Sequence, residues 1–262
     1  MSIIKKYIVN YLLKENIQDN KNISSLFLKS ILIQDEHGYL LEEGYIEDDH
    51  ELDDLIRTGN CEDEFFKQVY ESVLSNGFKY FARGTGRIVF THPQAPNLIF
   101  KLVIPGEETD DNISETAKEK AMMKEHPHLF GSLYNISGNI PRLFNNTEDY
   151  FIIVEKLIPL FDGNFECLPD DRVISALKNQ FGFIGDLESF KKHMRDKLIK
   201  YYELASGQES EEFAHIQVPS SPPDMLDIFC QEVIKFSKEV KPDNVGLKAN
   251  GNNKYRFVML DV

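Results

Sequence analysis

Residues 78–104 read FKYFARGTGRIVFTHPQAPNLIFKLVI, and apolar side chains recur at every second position through much of this stretch. A period of two predicts β-strands, and the glycines and prolines divide the stretch into three of them. The strands are predicted over residues 78–83, 87–90 and 98–104, with turns at Gly84-Thr85-Gly86 and at residues 92–97. The sequence therefore predicts an antiparallel β-meander.

Helical periodicity precedes the meander over residues 1–76. Two sets of apolar residues each share one helical face: Ile4, Ile8, Tyr11 and Leu12 in the first set, and Phe66, Val69, Tyr70 and Val73 in the second. Asn60 is expected to cap the second helix, and Asn76-Gly77 is expected to end it.

Helices also dominate after the meander. They are predicted over residues 114–125, 172–177 and 187–204, and after Asp224, where Leu226, Phe229, Val233 and Phe236 share a stripe. Strand-like runs are predicted at residues 142–144, 150–154 and 255–260, an exposed loop at residues 206–223, and a hairpin around Asn250-Gly251-Asn252-Asn253. The elements do not alternate as βαβ units, so an α+β fold is predicted.

Acidic residues dominate the charge of this 262-residue chain, which carries a net charge of −14. They concentrate between Asp35 and Glu64, where Arg57 is the only Lys or Arg. Such a field repels phosphate backbones and anionic lipid, so unaided binding to nucleic acid or membrane is not expected. Two interpretations stay open for this segment: a solvated acidic loop, or a docking surface for a basic partner.

Cys61, Cys167 and Cys230 are odd in number and far apart, which favours a reducing compartment and disfavours a structural zinc site. The N-terminal stretch MSIIKKYIVNYLLKEN is more typical of an amphipathic helix than of a signal peptide. No apolar run is long enough to span a bilayer. We therefore expect a cytoplasmic protein, in its own cell or in a host cell.

The glycine turn and one lysine form the first candidate site. Glycines at a hairpin tip let backbone N–H groups approach phosphate oxygens, although Gly84-Thr85-Gly86 also suits a plain hairpin. Lys101 shares a strand face with Ile99 and Val103. A lysine on an apolar face needs an anionic partner, unless it reaches solvent at a sheet edge.

A second candidate site lies near the C-terminus, where Asn244 precedes the predicted hairpin and Asp261 follows its last strand. Amide and carboxylate oxygens are hard ligands that suit magnesium. If the hairpin brings Asn244 and Asp261 together, they form half of a metal site. The alternative is an Asx turn at Asn244 and a frayed terminal aspartate.

In the order of these motifs, the chain resembles the protein-kinase-like superfamily over roughly residues 78–262. Gly84-Thr85-Gly86 is similar to the glycine-rich loop, although the third glycine is missing, and Lys101 resembles the lysine that pairs with the phosphates. Lys241-Pro242-Asp243-Asn244 resembles the second half of the catalytic loop, and Asp261 the D-F-G aspartate, which implies Asn244 and Asp261 as magnesium ligands. The resemblance also implies that the backbone of Glu155 and Leu157 meets adenine.

A bilobal fold follows from the resemblance: an acidic helical extension (residues 1–76), a β-meander N-lobe (residues 77–157) and a truncated, mainly helical C-lobe (residues 158–262). The glutamate that pairs with Lys101 is either Glu115 or Glu119. Glu119 is preferred because Met122 and Met123 lie one helical turn further along, so that it borders an apolar stripe.

The chain departs from the family pattern at the position of the catalytic aspartate, which is Glu239 here, preceded by Ser237-Lys238. Val262 follows Asp261, so no activation segment is expected, and residues 206–223 are an extra segment. Some minimal bacterial effector kinases and phage-encoded kinase-like proteins look similarly shortened.

The resemblance implies an ATP- and Mg²⁺-dependent phosphotransferase that modifies a hydroxyl acceptor, expected to be on a protein. Glu239 would orient that hydroxyl, and Lys241 would steady the transferring phosphate. The alternatives are a pseudokinase that binds a protein partner through its acidic N-terminal segment, and an unrelated α+β binding protein. The phosphate acceptor and the oligomeric state stay open.

Overall fold

The computed structural model describes residues 19–31, 34–35, 38–39, 49–84, 86–104, 109–134, 150–208, 210–235 and 240–260. Over these residues the protein is a mixed α+β structure, as predicted. It divides into two compact units, residues 1–121 with 132–156 and residues 122–131 with 157–262. The helix predicted around Ile4–Leu12 and the strand at residues 142–144 fall outside the described residues.

The first described element of the first unit is a helix. Residues 19–31 are helical (α1), and a small hairpin of β1 (Gln34–Asp35) and β2 (Gly38–Tyr39) follows. Helices α2 (Asp49–Thr58) and α3 (Glu64–Ser75) come next. The stripe predicted for α3 is buried throughout, but the helix is capped by Asp63, whose side chain accepts from the Phe66 N–H, and not by Asn60. An N-cap side chain must reach the N–H groups of the first turn, and Asn60 lies too far upstream.

The predicted meander forms the sheet of this unit. Strands β3 (Lys79–Arg83), β4 (Arg87–His92), β5 (Ala95–Val103) and β6 (Phe151–Glu155) pair antiparallel in that order. The turn expected at residues 92–97 is shorter, because β4 continues to His92 and β5 begins at Ala95. A register shift between Phe90 and His92 accommodates this tight connection.

Alternation along β5 divides the sheet into two different faces. Leu98, Phe100 and Leu102 join α1, α2 and α3 in one buried cluster centred on Phe27. Val103 packs instead with Ile113 of helix α4 (Thr109–Glu125), which begins five residues earlier than predicted. The helices of the predicted N-terminal extension therefore share a core with the sheet.

Among its described residues, the second unit includes three complete α-helices and a small sheet. These are β7 (Ile158–Pro159), α5 (Asp171–Phe181), α6 (Leu187–Ser206), α7 (Met225–Ile234), β8 (Val245–Ala249) and β9 (Tyr255–Met259). The strands pair antiparallel in the order β7-β8-β9, and β8 and β9 form the hairpin that the sequence predicts. Asp224 caps α7 as expected, within a capping box completed by Asp227.

A buried polar cluster connects α6 to α7. Lys197 lies at its centre and donates to Asp224 and Asp227, both at 2.7 Å, and to the Ser220 hydroxyl at 3.2 Å. The Tyr201 hydroxyl donates to the other oxygen of Asp227 at 2.8 Å. Each buried charge thus has a partner, which a low-dielectric interior requires.

In the part of the chain that the structure describes, no helix combines the length and the apolar character needed to cross a membrane.

Candidate functional site

Lys101 lies in the second half of β5, on the face directed toward α4. Its cross-strand neighbours are Val89 on β4 and Ile152 on β6, so it is flanked by apolar side chains, and its exposed fraction is only 6%. The side chains of β5 alternate between the two faces of the sheet as the sequence predicts, which places Lys101 on an apolar face. A buried ammonium group of this kind must be held by an anion.

Glu119 of α4 supplies that anion. Lys101 Nζ donates to Glu119 Oε1 at 3.1 Å, and the glutamate is 2% exposed. Glu115, the alternative partner, is exposed. The structure therefore resolves the choice in favour of Glu119, while the role of either residue in nucleotide binding stays a prediction.

Arg87 is a third member of the site, and the sequence did not identify it. Its Nη1 donates to Glu119 Oε2, and its side chain is largely buried. Arg87 and Lys101 come from neighbouring strands and share a face because Val89 pairs with Lys101. Strand alternation places Val89 and Arg87 on the same face of β4. To identify that face as the one that carries Lys101, the sequence would also have had to specify how β4 pairs with β5.

The glycine turn connects β3 to β4 immediately before Arg87. The Gly84 N–H donates to the Arg87 carbonyl at 2.9 Å, and the Gly86 carbonyl accepts from the Ile104 N–H at 3.0 Å. A Cβ atom on Gly86 would lie 2.1 Å from Asn112 Oδ1 of α4, so a larger residue there would require the Asn112 side chain to move. Thr85, a predicted phosphate-binding residue, lies outside the described residues.

Glu155 ends β6, and its backbone N–H donates to the Ser132 carbonyl at 2.9 Å. The Ser132 N–H donates in return to Glu155 Oε2 at 3.0 Å. The following Lys156 N–H is bonded to the Asn97 carbonyl at 2.7 Å, and Leu157 belongs to the second unit. The predicted adenine contacts of Glu155 and Leu157 therefore stay predictions, with the Glu155 N–H already engaged.

Asn244 closes a 3-10 turn, Pro242–Asn244, that begins after Lys241. Its N–H donates to the Lys241 carbonyl at 3.0 Å, and its carbonyl accepts from the Leu260 N–H at 2.8 Å. The residue before Asp261 is thus bonded directly to Asn244. Asp261 itself and Glu239 lie outside the described residues, so their predicted roles stay predictions.

One side-chain oxygen next to Asn244 is of the kind that binds hard cations. Asp243 Oδ1 is buried and has no hydrogen-bond partner, which is unusual for a carboxylate oxygen. However, no group of three or more His, Cys, Asp and Glu side chains within the described ranges is arranged to hold a metal ion. Magnesium usually keeps several waters and takes few protein ligands, so this result does not test the predicted pair of Asn244 and Asp261, which stays a prediction.

The second unit also contains a pocket of about 570 Å³ between α6 and the segment around Phe165. The residues that line it include Lys191, Lys192 and Arg195, and no predicted site residue is among them. Lys191 is bonded to Asp171 and Glu188, and Arg195 to Asp196. Most of the positive charge in this pocket is therefore already paired.

A comparison of the chain with protein-family models, curated proteins and solved structures found no match to any of them. The function is therefore inferred from this chain's own residues.

Proposed function

We propose that the chain is a protein-kinase-like phosphotransferase that binds ATP with magnesium and transfers the γ-phosphate to a hydroxyl acceptor. The buried ion pair between Lys101 of β5 and Glu119 of the following helix is the observation that carries this proposal. Kinases require an ion pair between the lysine of the third strand and a glutamate of the next helix.

The burial of the Lys101–Glu119 pair bears on whether the pair has a functional role. Removing both charges from water has a large desolvation cost, and an apolar pair of similar size is often as stable. A lysine held between Val89 and Ile152 agrees with a requirement for positive charge at this site. A purely structural ion pair is the simplest competing explanation.

The order of elements supports the finer proposal of a kinase-like fold with an N-lobe and a C-lobe. A glycine turn joins the first two strands of the meander, the lysine lies on the third, and the glutamate lies on the next helix. In the second unit, the turn at Asn244 leads directly into the β8–β9 hairpin. Both sequences of elements agree with the motif order of the family.

Each residue has a separate task in the proposed reaction. Lys101 would donate to the phosphate oxygens, and the backbone near Gly84 and Gly86 would approach them closely. Asn244 and Asp261 would hold magnesium, which neutralises charge on the phosphates that ATP supplies. Glu239 would accept the proton of the acceptor hydroxyl, and Lys241 would steady the transferring group.

The test compares the melting temperature of the full chain with and without Mg-ATP. A ligand at a hundred times its dissociation constant stabilises the folded state by roughly 2.7 kcal/mol. We expect a clear rise for the parent chain, no rise for Lys101→Met, and the parent response for Lys118→Met, which changes an exposed lysine of α4. Release or transfer of radiolabelled γ-phosphate then measures turnover.

If Mg-ATP leaves the melting temperature of the parent chain unchanged, the proposal is wrong. If Lys101→Met keeps the full response, ATP binds elsewhere and the site is misassigned.

A pseudokinase that binds a protein partner is the second candidate, favoured by Glu239 in place of the catalytic aspartate. Part of the acidic segment already has an internal role, since Glu51 Oε1 accepts from the N–H groups of Glu62 and Asp63. The remaining acidic residues would form the partner surface. Nucleotide binding without turnover, combined with a partner that requires residues 1–76, would favour this candidate.

A further inference from the structure

Glu119 is bonded by two cations at once, one on each carboxylate oxygen. Lys101 Nζ donates to Oε1 at 3.1 Å, and Arg87 Nη1 donates to Oε2. Because Glu119 is 2% exposed, water cannot replace either cation easily. The carboxylate must therefore keep at least one protein cation in every state of the site.

This arrangement changes what Lys101 is able to do. A buried carboxylate with a single cation holds that cation tightly, because losing it leaves an uncompensated charge. With Arg87 on the second oxygen, Glu119 stays paired when Lys101 turns some of its three N–H donors toward a phosphate. We infer that Arg87 is a positioning residue that compensates Glu119 and so leaves Lys101 able to bind phosphate, an inference that rests on the proposed ATP-binding function.

The location of Arg87 supports the same role. It directly follows the glycine turn, and Gly86 of that turn lies against Asn112 on the helix that carries Glu119. The bond from Arg87 to Glu119 therefore attaches the turn to α4. One carboxylate positions both groups that the proposal assigns to phosphate, the turn and Lys101.

The test measures dissociation constants of ATP and of adenosine, both with magnesium, by calorimetry on the full chain. Adenosine lacks phosphates, so it makes no contact with Lys101 and reports on general damage to the site. We expect Arg87→Met to weaken ATP binding by roughly tenfold or more and to leave adenosine binding within about twofold. Arg87→Lys keeps the charge without the planar fork, and we expect a smaller loss, about threefold, for ATP alone.

Two further variants serve as controls. Arg57→Met removes an exposed arginine of α2 that is paired with Asp54, and it should leave both constants unchanged. Glu119→Gln removes the charge that Arg87 compensates, so adding Arg87→Met in that background should weaken ATP binding by no more than about twofold further.

A loss that is equal for ATP and adenosine would overturn the positioning role and leave ATP binding by the parent chain intact. So would an Arg87→Met effect that persists in full in the Glu119→Gln background. If Arg87→Met does not fold, Arg87→Gln, which removes the charge and keeps a polar side chain, decides, and unchanged ATP affinity in that variant counts against the inference. A parent chain that binds ATP no better than adenosine would refute both the proposed function and this inference.

Discussion

Lys197 Nζ donates to Asp227 Oδ2 at 2.7 Å, and the two residues, 30 positions apart in the chain, are 1% and 0% exposed. The same ammonium group also bonds Asp224, the N-cap of α7. This cluster holds α6 and α7 together through charged groups in the interior of the second unit. Its stability therefore depends on every partner being present.

Lys197→Met should destabilise the protein by about 3–5 kcal/mol, because it leaves Asp227 buried without its cation. Urea denaturation followed by circular dichroism measures the loss. Lys192→Met, which changes an exposed lysine of the same helix, should stay within about 0.5 kcal/mol. Similar midpoints for the two variants would show that the buried pair contributes little.

Acid should weaken this cluster. Burial raises the pKa of the Asp224 carboxyl, but the nearby His193 imidazole and the hydrogen bond that the carboxyl accepts from Lys197 outweigh this effect and hold the pKa well below its ordinary value of 3.8. A carboxyl whose pKa is lower in the folded state stabilises fully above the unfolded value and loses this contribution as pH falls toward the folded one. We expect the free energy of unfolding to decrease between about pH 5 and pH 2.

Asp224→Asn keeps a good N-cap but removes the titrating group. It should be less stable than the parent chain at pH 7, by about 1–3 kcal/mol, and lose less stability between pH 5 and pH 2. Parallel pH curves for the two proteins would contradict this assignment of the acid sensitivity.

The three thiols should react slowly in the folded protein. Burial raises the pKa of Cys61 to about 12, helped by its hydrogen bond to Glu51 and the negative charge of that residue. Burial likewise raises the pKa of Cys167 to about 11 and that of Cys230 well above its ordinary value. Because only the thiolate attacks, Ellman's reagent at pH 8 should react roughly 100-fold or more slowly than with the urea-unfolded chain. A thiol that reacts equally fast in both states would refute the prediction for that residue.

The two glycines of the turn should differ in their tolerance of alanine. A Cβ on Gly86 would lie 2.1 Å from Asn112 Oδ1, whereas nothing lies within 4 Å of a Cβ on Gly84. Gly86→Ala should destabilise by about 1–3 kcal/mol, and Gly84→Ala by about 0.5 kcal/mol or less, in thermal unfolding. Asn112→Ala makes room and should reduce the effect of Gly86→Ala. If it does not, the overlap with Asn112 is not the cause.

Phe27→Ala should destabilise by about 3–5 kcal/mol, because a fully buried ring would be removed from the core of the first unit. Its ring centroid lies 5.1 Å from that of Phe100 and 5.2 Å from that of Phe78. Phe81→Ala, at a half-exposed position of β3, is the matched control and should lose about 1 kcal/mol or less. Equal losses would show that residues 19–31 are a separable extension.

Local patterns predicted the element types well where a period or a cap is encoded by neighbouring residues. The strand period of the meander, the helical period of the α3 stripe and the Asp224 cap can each be recognised within a few neighbouring residues. Boundaries were less accurate at the β4–β5 connection and at the start of α4. Both depend on how tightly the chain turns, which propensity alone does not specify.

In the candidate site, too, local patterns predicted some features, and others depended on tertiary structure. Strand alternation was enough to place Lys101 on an apolar face and to require an anionic partner for it. Arg87 was missed because its place beside Lys101 depends on the pairing of β4 with β5, and a register shift between Phe90 and His92 alters that pairing. A slip of one residue would direct Arg87 to the opposite face of the sheet.

The short-range spacing of residues was thus enough to predict the α+β class, the meander, and a lysine, Lys101, that lies among apolar residues and needs a carboxylate. Folding added the contact that pairs Lys101 with Glu119, the glutamate already preferred from the sequence, together with the second cation on that carboxylate and the Lys197 cluster between two helices. These contacts join residues that are 18 to 32 positions apart. Such contacts arise from packing between elements, and no local periodicity encodes which faces meet.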